Sequence, residues 1–173
     1  NVARFLDDED EYIVTEAARA INDDFSIESA LPALSAILDS ERFTSEPLLR
    51  RAINASLRVG GEAEMNRVIA FAKRKDVNNE LRAEALATLG TWPEPSVLDR
   101  VDGRYRGEVK RNAEPVIQAI SPDISYFLSD KSPEVVVAGL KAVSNLNITG
   151  QTSAVLALQN HTSPAVRSSV LEV

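Results

Sequence analysis

SPEVVVAGLKAV, residues 132–143, sets Val135, Gly139 and Val143 at steps of four behind a serine and a proline. Steps of three and four gather side chains on one face of an α-helix, whereas a strand alternates in steps of two, so the stretch reads as an amphipathic helix. The arrangement returns in YIVTEAARAI (12–21), PLLRRAINASL (47–57), NELRAEALATL (79–89) and SPAVRSSVLEV (163–173). Ile13, Ala17 and Ile21, then Leu48, Ala52 and Leu57, then Leu81, Ala85 and Leu89, and finally Val166 and Val170 occupy the corresponding places. A small residue in the middle of the stripe predicts a close helix crossing at the same point of each unit.

The anchors Ala17, Ala52, Ala85, Gly139 and Val170 lie 35, 33, 54 and 31 residues apart. Between successive copies runs a second apolar stretch: SALPALSAIL (29–38), AEMNRVIAFAKR (63–74), VIQAISPDISYFL (116–128) and QTSAVLALQ (151–159). Each unit therefore reads as two helices. Ser132-Pro133 and Ser163-Pro164 place a capping hydroxyl before a proline at the first helical position, Glu46-Pro47 and Ser121-Pro122 use the same device, and Gly60-Gly61 and Gly150 mark turns within units. Two short helices cannot bury both faces alone, so units of this size must stack into a solenoid. The expectation is an all-α chain of about four to five helical hairpins, with residues 1–173 forming one repeat domain and an insert at 91–112 in the third repeat. The tail-like NVARFL at residues 1–6, and an end inside a first helix, suggest a piece of a longer chain.

Composition narrows the chemistry. With 44% hydrophobic and 26% charged residues in 173, the chain has an ordinary globular composition, and no apolar run is long enough for membrane insertion. It has no cysteine and one histidine, His161, which leaves almost no material for thiolate zinc sites, disulfide frameworks, haem attachment or Cys- or Ser-His catalysis. A net charge of -7 repels nucleic acid and anionic lipid. No cofactor is expected, and the composition does not choose a compartment.

The Ser-Pro-Glu-Val entry and the Leu-Arg-x-Glu-Ala-Leu helix, LRAEAL at 81–86, resemble HEAT-type repeats over nearly the whole chain, which implies a right-handed α-α superhelix of the HEAT/armadillo kind. FLDDEDEYIVTEAARAIND (5–23), EPLLRRAINASLRVG (46–60), LRAEALATLGTWPEPSVLDRV (81–101) and GRYRG (103–107) together look like a more particular segment. It is the HEAT-like part of large exported bacterial proteins in which a sugar-dehydrogenase-like β-propeller precedes the repeats and a c-type haem domain follows. The resemblance implies a periplasmic or otherwise exported spacer between a redox propeller and an electron acceptor. In that family the catalytic and haem-ligating residues belong to the flanking domains, so none is carried to positions here.

The overlong interval holds TWPEPSVLDRVDGRYRGEVKRN (91–112), roughly twenty residues beyond what a repeat needs. Trp92, Arg100, Arg104, Tyr105 and Arg106 form the candidate interaction surface, because exposed Trp, Tyr and Arg anchor interfaces. The alternative is that Trp92 packs on the first-helix ridge and Asp99 pairs with Arg100 or Arg104, closing the loop onto its own repeat. The run from Asp7 to Glu11 reads either as hard-cation ligands or as a helix cap, and it lacks the glycine turn of an EF-hand. Arg50-Arg51 and Lys73-Arg74-Lys75 read as solvated basic faces, His161 as a turn residue, and the carboxylate pairs Glu62/Glu64 and Asp23/Asp24 as too ordinary to nominate a glycosidase. Asn54, Asn147 and Asn160 open glycosylation-type tripeptides of the kind chance supplies.

The functional expectation is a non-catalytic scaffold that positions neighbouring domains or docks another protein. Its rivals are a peptide-binding adaptor using Asn66, Arg67 and Gln118, and a lyase or glycosylase working in the groove of a helical repeat.

Overall fold

The computed structural model describes residues 2–173, so Asn1 of the expected preceding tail lies outside it. Ten α-helices follow one another among the described residues: α1 (Glu11–Asp23), α2 (Leu31–Ser35), α3 (Glu46–Val59), α4 (Glu62–Lys73), α5 (Asn79–Gly90), α6 (Glu114–Ile120), α7 (Ile124–Leu128), α8 (Pro133–Asn145), α9 (Thr152–Leu156) and α10 (Pro164–Val170). Helices α1, α3, α5, α8 and α10 stack in one row, each against the next. The second row is α2, α4, α6 with α7, and α9; α2, α4 and α7 pack against the first-row helix that follows them, while α6 packs against α4 and α9 against α7. The chain is a helical solenoid, as the spacing of the stripes requires.

The anchors occupy the seam. Ala17, Ala52 and Ala85 are buried in a single hydrophobic cluster that runs from Leu6 to Val170 through every unit. Gly139 is buried as well, and a Cβ there would lie 3.4 Å from a Leu128 methyl and 3.5 Å from Phe127 Cβ. Along the first row, a Cβ on Gly90 would come within 3.2 Å of Ala142 Cα, so α5 and α8 approach as closely as small residues permit. A core of this kind stabilises only shared boundaries, and each unit depends on the ones beside it.

Cap chemistry sets the boundaries with three departures from expectation, the third being Ser121, whose hydroxyl caps no helix. Asp10 accepts from Tyr12 N at 2.9 Å, Asn78 from Leu81 N at 2.8 Å and Ser132 from Val135 N at 3.4 Å, each satisfying an orphan donor of the first turn. Helix α3, however, is capped by Ser45, with Glu46 as its first residue and Pro47 its second. Ser163 makes no hydroxyl cap: its backbone N–H donates to His161 Nδ1 at 3.0 Å.

The second row is shorter and more broken than its apolar pattern suggests. The expected 116–128 helix is split by a 3-10 turn at Ser121–Asp123, where Pro122 has no N–H for the helical ladder and the Ser121 hydroxyl donates to Ile117 O at 2.5 Å. The 29–38 stretch is α2 between 3-10 segments at Phe25–Ala30 and Ala36–Asp39, and 151–159 is helical only over α9. The NVARFL stretch continues as a 3-10 helix, Val2–Asp7, against α1.

Candidate interaction surface

Residues 91–113 join α5 to α6 without forming a helix. The segment runs back along the edge of the solenoid, over the C-terminal ends of the first-row helices. A helix end leaves carbonyls without intrahelical partners and carries a partial negative charge. Arginines of the insert meet those carbonyls: Arg106 Nη2 donates to Asn22 O of α1 at 2.6 Å, Arg104 to Asp23 O, and Arg111 Nη2 to Leu57 O of α3 at 2.7 Å. Arg58 adds a bond to Asn22 O at 3.1 Å from α3 itself.

Asp99 is the hub. Its side chain is fully enclosed, with Oδ2 accepting from Asn54 Nδ2 at 2.9 Å and Arg106 Nε at 2.9 Å, and Oδ1 from the Val101 and Asp102 N–H groups. Burial pushes this carboxyl up, but the bonds from Asn54, the two backbone N–H groups and Arg106 outweigh it and hold the pKa below the usual range. Asn54 also reaches Asn22 Oδ1 at 2.8 Å, so one polar network ties the insert to α1 and α3. Asn54 is buried in it, which closes that glycosylation-type tripeptide in the folded chain.

Two backbone bonds, Asp99 N to Arg104 O at 2.8 Å and Arg106 N to Val97 O at 2.7 Å, shape residues 97–106 into a short hairpin with a single antiparallel bridge between Leu98 and Tyr105. The five candidate residues therefore separate. Trp92 is only 3% exposed, with the Arg111 guanidinium 5.8 Å from its ring centroid, so it belongs to the core and not to the surface. Arg106 is consumed by Asp99, Asp102 and Asn22 O. Arg100 pairs bidentately with Glu84 at 2.7 and 3.0 Å, and Arg104 pairs with Asp102 at 3.7 Å, so neither is the partner of Asp99 that the sequence suggests. Tyr105 faces solvent at 67% exposure, beside Leu98 at 51% and the exposed Val97. Sequence reading missed Leu98 and Val97, although their β-branched and aliphatic character beside a turn is the available signal.

Beneath the hairpin lies a cavity of about 230 Å³, walled by α3, the Phe25–Ala30 region and the insert. A shallower groove of about 650 Å³ crosses the first row at Ala83, Ala87, Val137, Ala138 and Ala165, between Arg50 and Glu84 on one side and Lys141 on the other.

The other sequence candidates are structural ties. Asp10 caps α1, and Glu11 accepts from Ser45 N at 2.6 Å, joining the first unit to the second. Among the described residues no group of three or more His, Asp or Glu side chains is placed to hold a metal ion. Lys73 pairs with Asp123, Arg74 with Asp76, and Lys75 with Asp130. Arg67 is engaged by Asp39, Ser35 and Glu64, and Gln118 by Glu114, so with Asn66 they make no open ladder. No described helix is long and apolar enough to cross a membrane.

No protein-family model matches the chain, and neither does any curated protein. Solved structures do. A computationally designed armadillo repeat protein for modular peptide recognition superposes with a TM-score of 0.59 at 17% identity, covering 99% of this chain and 78% of the other. A second designed armadillo repeat protein gives 0.58 at 18% identity over the same shares, and an engineered protein 0.60 at 14%, covering 99% and 75%. At such identities the likeness establishes the fold, an armadillo-like helical solenoid.

Proposed function

We propose that this chain is a non-catalytic docking scaffold whose partner-facing element is the hairpin of the insert. The observation that carries the reading is the contrast within residues 97–106. The side chains of Asp99 and Arg106 are fixed to α3 and α1, helices of earlier units, while Tyr105 and Leu98 are held outward. A rigid support spares the ordering cost that a free loop meets on binding, and an exposed aromatic beside an aliphatic residue is the usual composition of an interface anchor. The repeat architecture supports the same reading, since stacked units present long continuous surfaces, and a structural neighbour is described as built for peptide recognition.

The partner in this proposal is another protein or a neighbouring domain of the same polypeptide. The sequence resemblance supports an exported bacterial parent in which these repeats separate a dehydrogenase-like propeller from a c-type haem domain. The test is a photo-crosslinking amino acid at position 105 in the natural polypeptide, with position 131, an exposed lysine on a loop between units, as control. A discrete adduct mapped by mass spectrometry to one protein or domain at 105 and not at 131 supports the docking role. Identical adducts at both positions, or none at 105, overturn it.

A further inference from the structure

Resting on the docking reading above, we propose that the cavity beneath the hairpin receives an acidic side chain from an extended segment of the partner protein. Four guanidinium groups line it, those of Arg58, Arg100, Arg106 and Arg111, against two carboxylates, Glu28 and Asp99. Glu84 and Asp102, which hold Arg100 and Arg106 from behind, are not part of the wall. Arg58, Arg100 and Arg106 thus each have a carboxylate partner, and the wall cation left over is Arg111.

The wall carboxylates have nothing left for Arg111. Asp99 is enclosed and already accepts four hydrogen bonds, and Glu28 is more than half exposed at the end of its pair with Arg58. Arg111 donates only to backbone carbonyls, Trp92 O at 2.8 Å and Leu57 O at 2.7 Å, and no carboxylate among the described residues forms an ion pair with it. Burial alone pulls its pKa down, as for a cation lacking its own anion. Desolvated guanidinium groups of this kind favour an incoming carboxylate through charge-assisted hydrogen bonds.

Size and lining specify the visitor. At about 230 Å³ the space falls below that of drug-sized ligand pockets, and it suits one or two side chains. Leu57 and Leu98 supply apolar walls for an aliphatic stem or neighbour, and exposed Leu98 stands at the mouth. Glu28 and Asp99 disfavour a dianionic phosphate while tolerating a single carboxylate charge.

The probe is a display library of random linear ten-residue peptides, panned on the 173-residue chain at low ionic strength. Enriched peptides are then measured by fluorescence anisotropy against the wild type, Leu98→Asp and Arg111→Gln. The expected consensus is Asp or Glu next to a large apolar residue, with Kd raised at least tenfold by either substitution and by Glu→Gln in the peptide. Leu98→Asp changes an exposed side chain and keeps the test valid if Arg111→Gln does not fold. Four results overturn the proposal: no enrichment, a basic or uncharged consensus, acidic peptides that bind Leu98→Asp within twofold of wild type, or phosphopeptides preferred more than tenfold. A crosslink at position 105 combined with any of these would leave the docking reading standing and remove only this inference.

Discussion

Replacing Asp130 with alanine should be among the most destabilising single changes in the chain. Asp130 lies in the loop between α7 and α8, and its Oδ2 accepts from Arg82 Nη2 of α5 at 2.6 Å. Arg82 is only 1% exposed and has two further partners, Ala72 O at 3.0 Å and Asn79 Oδ1 at 3.0 Å, both uncharged. Truncating Asp130 thus strands a buried cation, which costs about 3–5 kcal/mol. In a chain of this length that is a fall in Tm of about 6–20 °C. Lys75 also reaches Asp130, at 2.6 Å, but is mostly exposed, so Lys75→Ala should cost about 0–1 kcal/mol. Replacing both members of the buried pair, as Arg82→Met with Asp130→Leu, should recover most of the loss, because the desolvation penalty disappears with the charges. Urea unfolding followed by circular dichroism measures all four proteins. The reasoning fails if Asp130→Ala costs no more than Lys75→Ala, or if the double replacement is worse than the single. The pH dependence follows from the same geometry. Burial pushes the Asp130 carboxyl up, but hydrogen bonds from Arg82 and Lys75 outweigh it and hold it far below the usual range. A depressed carboxylate contributes fully above its unfolded pKa of about 3.9 and loses that contribution as pH falls toward the folded value. Stability should therefore drop below about pH 4, and Asp130→Asn should flatten that drop.

The insert yields three further expectations. Trp92→Ala should cost about 3–5 kcal/mol in the same unfolding assay, whereas Tyr105→Ala should stay within about 0.5 kcal/mol, a contrast that reverses if the tryptophan faces solvent. Gly60 has φ of +72° and the Arg111 guanidinium lies where a Cβ would sit, so Gly60→Ala should cost at least about 1–2 kcal/mol, read from the urea midpoint. Asp99→Ala should release the hairpin, seen as faster amide exchange at Arg104 and Arg106 with little change in α8. Its depressed carboxyl adds stability above about pH 3.9 that is lost on acidification, so this release should also appear in the wild type at low pH.

The repeats were legible because their signal is local. A stripe such as Leu81, Ala85 and Leu89 needs nothing beyond the 3.6-residue turn to be read. The insert was legible only as an interruption. What fixes it comes from elsewhere in the chain: Arg106 meets the carbonyl of Asn22, 84 residues earlier, and Asn54 bonds Asp99 across 45. No spacing rule reports such pairs, so Asp99 seemed destined for the adjacent Arg100 or the nearby Arg104. Trp92 stood open between interface and core for a related reason. Composition allows either place, and the structure sets it in the hydrophobic cluster with the Arg111 guanidinium over its ring.

The bonds from Arg104 and Arg106 to the end of α1 connect the third unit to the first and skip the second. In an ordinary stack, where only adjacent units touch, melting can creep inward from either end. Here α1 cannot peel away from α3 without also tearing the hairpin loose. The first unit should consequently open together with the hairpin, as a seam does when it is stitched at a second point.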